Sequence, residues 1–279
     1  MDNYKIIKII GKGKFGTIYY AKNKKDQPVA IKTEQSNQDY SSIKHEVKMM
    51  NYLFRNNFKQ LPMIYWYGKY KNLTCLIMTY YDCSLEQYMK NVLFKHKSND
   101  IILQCINIIE YIHKYYILHR DIKPQNFMIK NNNVFLIDFG LSIFYVDEYG
   151  EHKPNELQLT IIGTPKYLSY NNHVGNTISR RDDLISIGYL YMSFYYILPW
   201  QNILSNIESE KSLLDIEHPS NIQRRKYKSL ENLFIFLKEP NYTKQIIYNI
   251  KNYMTYCYSL DYDSEPSYYV IKQLFIANH

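Results

Sequence analysis

Cysteine is scarce in this 279-residue chain: four in all, Cys75, Cys83, Cys105 and Cys257, with no Cys-x-x-Cys pair. That pattern excludes a zinc-binding cysteine cluster. Together with the lack of a signal-peptide pattern, it favours a reducing compartment, cytoplasmic or nuclear. Long apolar runs are missing too. The greasiest stretch, Ile185 to Trp200, is interrupted by Ser186, Gly188 and Ser193. It falls short of the roughly 18 apolar residues of a membrane span, so it reads as a buried helix, and no membrane partner is expected. There is no internal repeat and no long low-complexity tract.

What is present suits a globular protein. Hydrophobic residues make up 46%, enough for a core, and the length suits two packed lobes. The 31 tyrosines, with plentiful Asn, Ile and Lys, read as the codon usage of an AT-rich genome, viral or protist. The net charge of +8 suits acidic partners such as phosphate groups, although a lysine-rich codon bias accounts for it equally well. No recognised nucleic-acid motif accompanies it, so nucleic acid is not expected.

Along the chain, Tyr4–Gly11, Thr17–Lys22, Val29–Glu34 and Leu73–Thr79 read as strands. Asp39 to Phe54 reads as a helix capped by Ser41 or Ser42, with Ile43, Val47, Met50 and Phe54 at helical spacing. From Ser84 onward the pattern is mostly helical. It is interrupted by a hairpin made of Phe127–Lys130, an Asn131-Asn132-Asn133 turn and Val134–Ile137. A strand-rich first part thus joins a helix-rich second part near Thr79–Cys83.

Gly11-Lys12-Gly13-Lys14-Phe15-Gly16 lies between two strands. In a dinucleotide-binding fold this pattern opens a helix; here the β-branched and aromatic Thr17–Tyr20 favours a strand–loop–strand flap over a triphosphate. Lys12 and Lys14 would add positive charge to it. In Val29-Ala30-Ile31-Lys32, Ala30 is small enough to lie against a purine, and Lys32 would hold the α- and β-phosphates. Glu46 falls on the apolar stripe of its helix, between Ile43 and Met50. A buried carboxylate there needs a cation, and Lys32 is the natural one.

The strongest signal is His119-Arg120-Asp121-Ile122-Lys123-Pro124-Gln125-Asn126. One loop supplies a base (Asp121), a cation (Lys123) and a magnesium ligand (Asn126), the set that phosphoryl transfer needs. Asp138-Phe139-Gly140 follows the hairpin, where Asp138 would hold the magnesium that bridges the β- and γ-phosphates.

On these motifs the chain resembles the protein-kinase superfamily over essentially its whole length. More narrowly it is similar to the casein kinase 1 group. Gly163-Thr164-Pro165-Lys166-Tyr167-Leu168-Ser169-Tyr170-Asn171 resembles the activation-segment end of that group, with Ser-x-Asn in place of Ala-Pro-Glu. Ser179-Arg180-Arg181-Asp182-Asp183-Leu184, Pro199-Trp200-Gln201 and the Cys257–Phe275 stretch resemble it as well. The chain has no arginine after Arg225, so the usual late partner of the missing glutamate is absent too. The hinge Tyr80-Tyr81-Asp82-Cys83 departs from the group's Leu-Leu-Gly-Pro, and Pro165 is closer to the vaccinia-related kinases.

The resemblance implies an α+β, bilobal kinase fold: a small β-rich N-lobe (1–79) with one key helix, a hinge (80–83) and a larger, mostly helical C-lobe (84–279). It implies a serine/threonine kinase using ATP and Mg2+ on protein substrates. Asp121, Lys123 and Thr164 would be catalytic, with Thr164 bridging the other two. Asn126 and Asp138 would bind metal. Ile10, Gly11, Gly13, Gly16, Ile18, Ala30, Lys32, Glu46, the gatekeeper Met78, Met128 and Ile137 would surround the nucleotide. Asp183 would brace the catalytic loop. Arg180 and Lys226 would form an anion pocket favouring acidic or phosphate-primed sites.

Two other classes compete. One is a scaffold that keeps the fold without turnover, disfavoured because Lys32, Glu46, Asp121, Lys123, Asn126 and Asp138 are all present. The other is a basic nucleic-acid-binding module, which only the net charge supports.

Overall fold

The computed structural model describes residues 3–13, 16–36, 41–91, 94–203, 215–237 and 244–276. Lys14 of the glycine-rich loop and the expected helix start at Asp39 lie outside them.

As the bilobal expectation requires, the chain divides into two units, a smaller one rich in strands and a larger, mostly helical one. The first comprises residues 1–88 and 125–142, and the second residues 89–124 and 143–279.

The first unit is built on an antiparallel sheet of order β1-β2-β3-β5-β4. Its strands are β1 (Tyr4–Gly13), β2 (Gly16–Asn23), β3 (Pro28–Gln35), β4 (Ile64–Tyr70) and β5 (Leu73–Thr79). Helix α1 (Ser42–Arg55) lies between β3 and β4 in sequence. Ser41 is its N-cap, accepting from the Lys44 N–H at 3.0 Å. The same hydroxyl donates to the buried carboxylate of Glu34, which also accepts from the Ile43 N–H at 3.1 Å. The helix start is thereby tied to the end of β3. Alternation on β3 turns Ala30 and Lys32 to one face, and Ala30 packs there with Ile43, Val47, Leu76 and Met78.

A three-stranded sheet, β6 (Cys83–Ser84), β8 (Phe127–Lys130) and β9 (Asn133–Leu136), completes the unit with the short helix α2 (Leu85–Tyr88). Asn131 and Asn132 have φ of 51° and 62°. Both central turn residues are therefore left-handed, which suits a two-residue hairpin and the twist of its strands. Asn133 belongs to the strand rather than to the turn. The Leu136 N–H donates to the Gln60 carbonyl at 2.9 Å, which is why this hairpin packs with the first unit although it follows the long helix α3 in the chain.

The second unit is mostly helical. It contains α3 (Phe94–Lys114), the paired short strands β7 (Ile117–Leu118) and β10 (Ile143–Phe144), α4 (Tyr170–Val174), α5 (Arg180–Ser193), α6 (Pro219–Tyr227), α7 (Leu230–Phe236), α8 (Lys244–Ser259) and α9 (Tyr268–Ile276). Every residue of α5 from Asp182 to Met192 is buried, and past its two aspartates the helix is apolar nearly all round, as expected of a central one. The helix expected to reach Trp200 ends at Ser193. Beyond it, Phe194 and Tyr195 close i−3 turns onto Tyr191 and Met192, and Pro199 prevents continuation. Among the described residues no helix is long and apolar enough to cross a membrane.

Candidate active site

In the first unit the β3 strand, helix α1 and the turn after β9 bring three charged side chains together. Lys32 Nζ donates to Glu46 Oε2 at 2.7 Å and to Asp138 Oδ1 at 2.8 Å. Burial opposes the Lys32 ammonium, but the Glu46 and Asp138 charges outweigh it and hold its pKa above the ordinary lysine value. Burial is also the largest influence on Glu46. It pushes that carboxyl up even though the Lys32 charge pulls it down. The Asp138 side chain is 41% exposed, so the cluster keeps one open carboxylate.

Asp138 is a non-glycine residue in left-handed backbone (φ 65°, ψ 71°) and precedes a short 3-10 turn, Phe139–Leu141. Backbone strain of this kind points to a functional constraint. The Ile137 N–H donates to the Asn126 carbonyl at 2.9 Å, which sets Asn126 beside the residue preceding Asp138. His45 Nε2 and the Ser142 carbonyl, 2.6 Å apart, tie α1 to the far side of the same turn.

The other residues expected around the nucleotide lie on this frame. Ala30 pairs with Met78 across β3 and β5, and Ile18 pairs with Lys32 across β2 and β3. Gly11 pairs with Ile18 after two register shifts in β1, at Ile6/Lys8 and at Ile9/Gly11. Gly16 has φ of 126°, and a Cβ there would stand 1.9 Å from the Thr33 carbonyl oxygen, so only glycine fits. At Gly13 a Cβ would meet nothing within 4 Å among the described residues. Ile10 is 43% exposed, and Met128 and Ile137 are half-buried.

The second unit holds the remaining catalytic candidates. Thr164 Oγ1 donates to Asp121 Oδ1 at 2.7 Å and accepts from Lys123 Nζ at 3.0 Å, and Lys123 Nζ donates to Asp121 Oδ2 at 2.6 Å. The three side chains, expected as base, cation and bridging hydroxyl, close a triangle. Gly163 makes it possible: its φ is 113°, and a Cβ would stand 2.5 Å from the Arg120 carbonyl oxygen.

Behind the triangle, Asp183 on α5 accepts from the backbone N–H groups of His119 (2.7 Å) and Arg120 (3.0 Å), and its Oδ2 lies 3.1 Å from His113 Nε2. The left-handed Arg120, φ 67°, turns two successive N–H groups onto one carboxylate. Burial alone would raise the Asp183 pKa, but the His113 hydrogen bond and charge and the His119 contacts bring it below the ordinary value. Burial lowers the pKa of His113.

Asp182, next to it, joins the two segments behind the narrower resemblance. It accepts from Ser169 Oγ (2.6 Å) and Asn171 Nδ2 (3.1 Å) at Oδ1 and from the Ser179 N–H (2.8 Å) at Oδ2. Ser-x-Asn and Ser-Arg-Arg-Asp-Asp-Leu are thus two sides of one hydrogen-bond network.

A model of the protein kinase domain family matches residues 4–274. The chain belongs to the protein kinase family. It therefore carries the domain of an ATP-dependent phosphotransferase that acts on protein substrates.

Sequence reasoning about the kinase missed three participants. His113 was hidden in the apolar pattern of α3. Glu34 is a strand-end carboxylate with no motif around it. Lys228 is buried without exposure although it follows a basic run that reads as a solvated loop. Arg180, one of the two expected anion-pocket residues, donates to the Tyr145 hydroxyl (3.3 Å) and the Asp263 carbonyl (2.6 Å), with its guanidinium over the Tyr145 ring. It lines a cavity of about 400 Å³ to which Lys226 does not contribute. Lys226 is exposed in the last turn of α6.

Proposed function

We propose that this kinase is a serine/threonine kinase of the casein kinase 1 type, with Asp121 as base and Lys123 and Thr164 holding it in place. The Asp121–Lys123–Thr164 triangle carries the reading. Asp121 accepts the proton of the substrate hydroxyl, while Lys123 steadies the transferring group and, with Thr164, fixes both Asp121 oxygens. Lys32, tethered by Glu46, grips the α- and β-phosphates of ATP. The group-level part of the reading rests on Gly163–Asn171 and Ser179–Leu184.

Asp138 and Asn126 offer hard oxygen donors, and the Asp138 carboxylate is partly open. Among the described residues no group of three or more His, Cys, Asp or Glu side chains is placed to hold a metal. That donor set fits Mg2+, which takes one or two protein oxygens and completes its shell with phosphates and water. When bound, Mg2+ neutralises charge on the β- and γ-phosphates.

The finer proposal assigns Arg180 and Lys226 to an acidic or phosphorylated residue N-terminal to the target. In its support, Arg180 spends its hydrogen bonds on neutral oxygens, which leaves its charge open to an anion. Paired guanidinium N–H groups suit phosphate.

The test is incubation with labelled ATP, Mg2+ and a degenerate peptide library containing Ser, Thr and Tyr targets, each with and without a phosphoserine three residues upstream. Transfer to Ser and Thr, faster on primed peptides, is the expected result. Transfer to Tyr alone would overturn the hydroxyl assignment, and equal rates on primed and unprimed peptides would overturn the anion pocket. No transfer to any peptide would overturn the enzyme reading.

A further inference from the structure

Lys228, at the C-cap of α6, is the most unusual charged residue of the kinase outside the sites already described. It is fully buried, and no carboxylate lies within ion-pairing distance among the described residues. Its Nζ donates to the Leu168 carbonyl at 2.6 Å and the Pro165 carbonyl at 2.8 Å, and lies 3.0 Å from His173 Nε2. The faces of Tyr189 and Trp200 flank it, with centroids 5.0 and 5.3 Å away. Burial, and after it the Arg224 charge, pushes its pKa well below the ordinary lysine value. The partner set satisfies either form. The ammonium donates three bonds; the neutral amine donates two to the carbonyls and accepts one from the imidazole.

Burying an amine in this way is costly, and a methionine of similar length would fill the space without that cost. The compensation lies in what the amine holds. Pro165 to Leu168 is irregular backbone whose side chains at Tyr167 and Leu168 are buried. Its carbonyls have neither helix nor sheet to satisfy them, so they need other donors. Lys228 supplies those for Pro165 and Leu168, and Trp200 Nε1 supplies one for Lys166 at 2.7 Å. The Leu168 and Tyr167 N–H groups in turn donate to the Thr164 carbonyl at 3.1 and 2.9 Å. Lys228 therefore reaches Thr164 through one short turn.

We propose that Lys228 is a positioning residue for phosphoryl transfer, a buried amine that fastens the Pro165–Leu168 turn so that Thr164 keeps its bonds to Asp121 and Lys123. The proposal rests on the catalytic roles given above to those three residues.

The test is Lys228→Met in the full chain, read in three ways. Hydrogen exchange by mass spectrometry should quicken in residues 161–168 while the exchange of residues 28–55 stays as in the wild type. Turnover should fall about 10- to 100-fold, with the KM for ATP within about twofold. The double variant Lys228→Met with Thr164→Ala should be no slower than Thr164→Ala alone, since both act through one hydroxyl. Should Lys228→Met not fold, Lys228→Gln, which keeps an N–H donor, should show the same pattern at smaller size. Wild-type exchange in 161–168, or turnover losses that multiply in the double variant, would overturn the proposal. The exchange measurement does not depend on activity. An inactive wild type with quickened exchange in the variant would overturn the proposed function and leave the anchoring contact standing.

Discussion

Lys32 and Glu46 form a buried ion pair at 2.7 Å, with both side chains below 10% exposure. The pair joins the central strand of the sheet to helix α1, and Asp138 completes it from the turn after the hairpin. Lys32→Met should lower phosphate transfer by about 10²–10³-fold, the usual loss on removing one preorganised charge. It should also destabilise the fold by about 3 kcal/mol, because Glu46 stays buried without its cation. Glu46→Gln should cost less in rate, about tenfold, since Lys32 remains charged and Asp138 still holds it. Steady-state kinetics with urea titrations on both variants check this. Wild-type turnover in Lys32→Met would remove that lysine from the mechanism.

Asp138 and Asp121 belong to different clusters and should fail differently. Asp138→Asn should weaken Mg2+-dependent nucleotide binding about tenfold or more. Asp121→Asn should leave nucleotide binding unchanged and lower turnover about 10²–10⁴-fold. Titration of a fluorescent ATP analogue with and without Mg2+, alongside turnover, separates them. Equal loss of nucleotide binding in both variants would contradict the division of roles.

Asp183 organises the catalytic loop from a buried helix. Asp183→Asn keeps one acceptor oxygen but sets an amide N–H against a backbone donor, so stability should fall by about 2–3 kcal/mol and turnover should fall with it. The folded pKa lies below the ordinary value of 3.8. The stabilisation from the ionised form is therefore complete above that value and is lost as pH falls through the folded one. Acid unfolding curves of the wild type and the variant should converge at the acid end.

His113 and His173 act in the opposite pH range. Burial lowers both pKa values below the ordinary 6.5, for His173 strongly and with help from the Lys228 charge. Below 6.5 the unfolded chain takes up protons that the folded chain refuses. Stability is thus complete above that value and declines as pH drops beneath it. The urea midpoint should be lower at about pH 5.5 than at about pH 7.5, and His173→Gln should flatten the difference. An unchanged midpoint would mean that these imidazoles are protonated in the folded state.

Local chemistry made much of the kinase legible without coordinates. The β8–β9 hairpin follows from the Asn131-Asn132-Asn133 run, residues that tolerate left-handed backbone, although Asn133 proved to belong to the strand. The start of α1 was legible to within Ser41 or Ser42, of which Ser41 is the cap, and strands β1 to β3 follow from β-branched runs parted by glycine and turn residues. Strand β4 was missed because Ile64–Tyr70 carries aromatic residues on both faces, so no apolar–polar alternation marks it. The 119–126 loop was readable because the proposed base, cation and metal ligand are neighbours in the chain.

What tertiary structure alone decided lies between residues far apart in sequence. Glu46 required a cation on physical grounds and Lys32 was the natural one, but only packing brought Asp138, 106 residues on from Lys32, to the same ammonium. Ser169 and Asn171 resembled one motif and Asp182 another; a single buried carboxylate turned out to bind them. Lys228 gave no local signal, because a lysine after Arg224, Arg225 and Lys226 has the pattern of a solvated helix end. Propensity and periodicity report how a residue relates to neighbours within a few positions. The cost of burying an amine, and the carbonyls that offset it, appear only when Pro165, Leu168 and His173 from one segment meet Tyr189 and Trp200 from another around it.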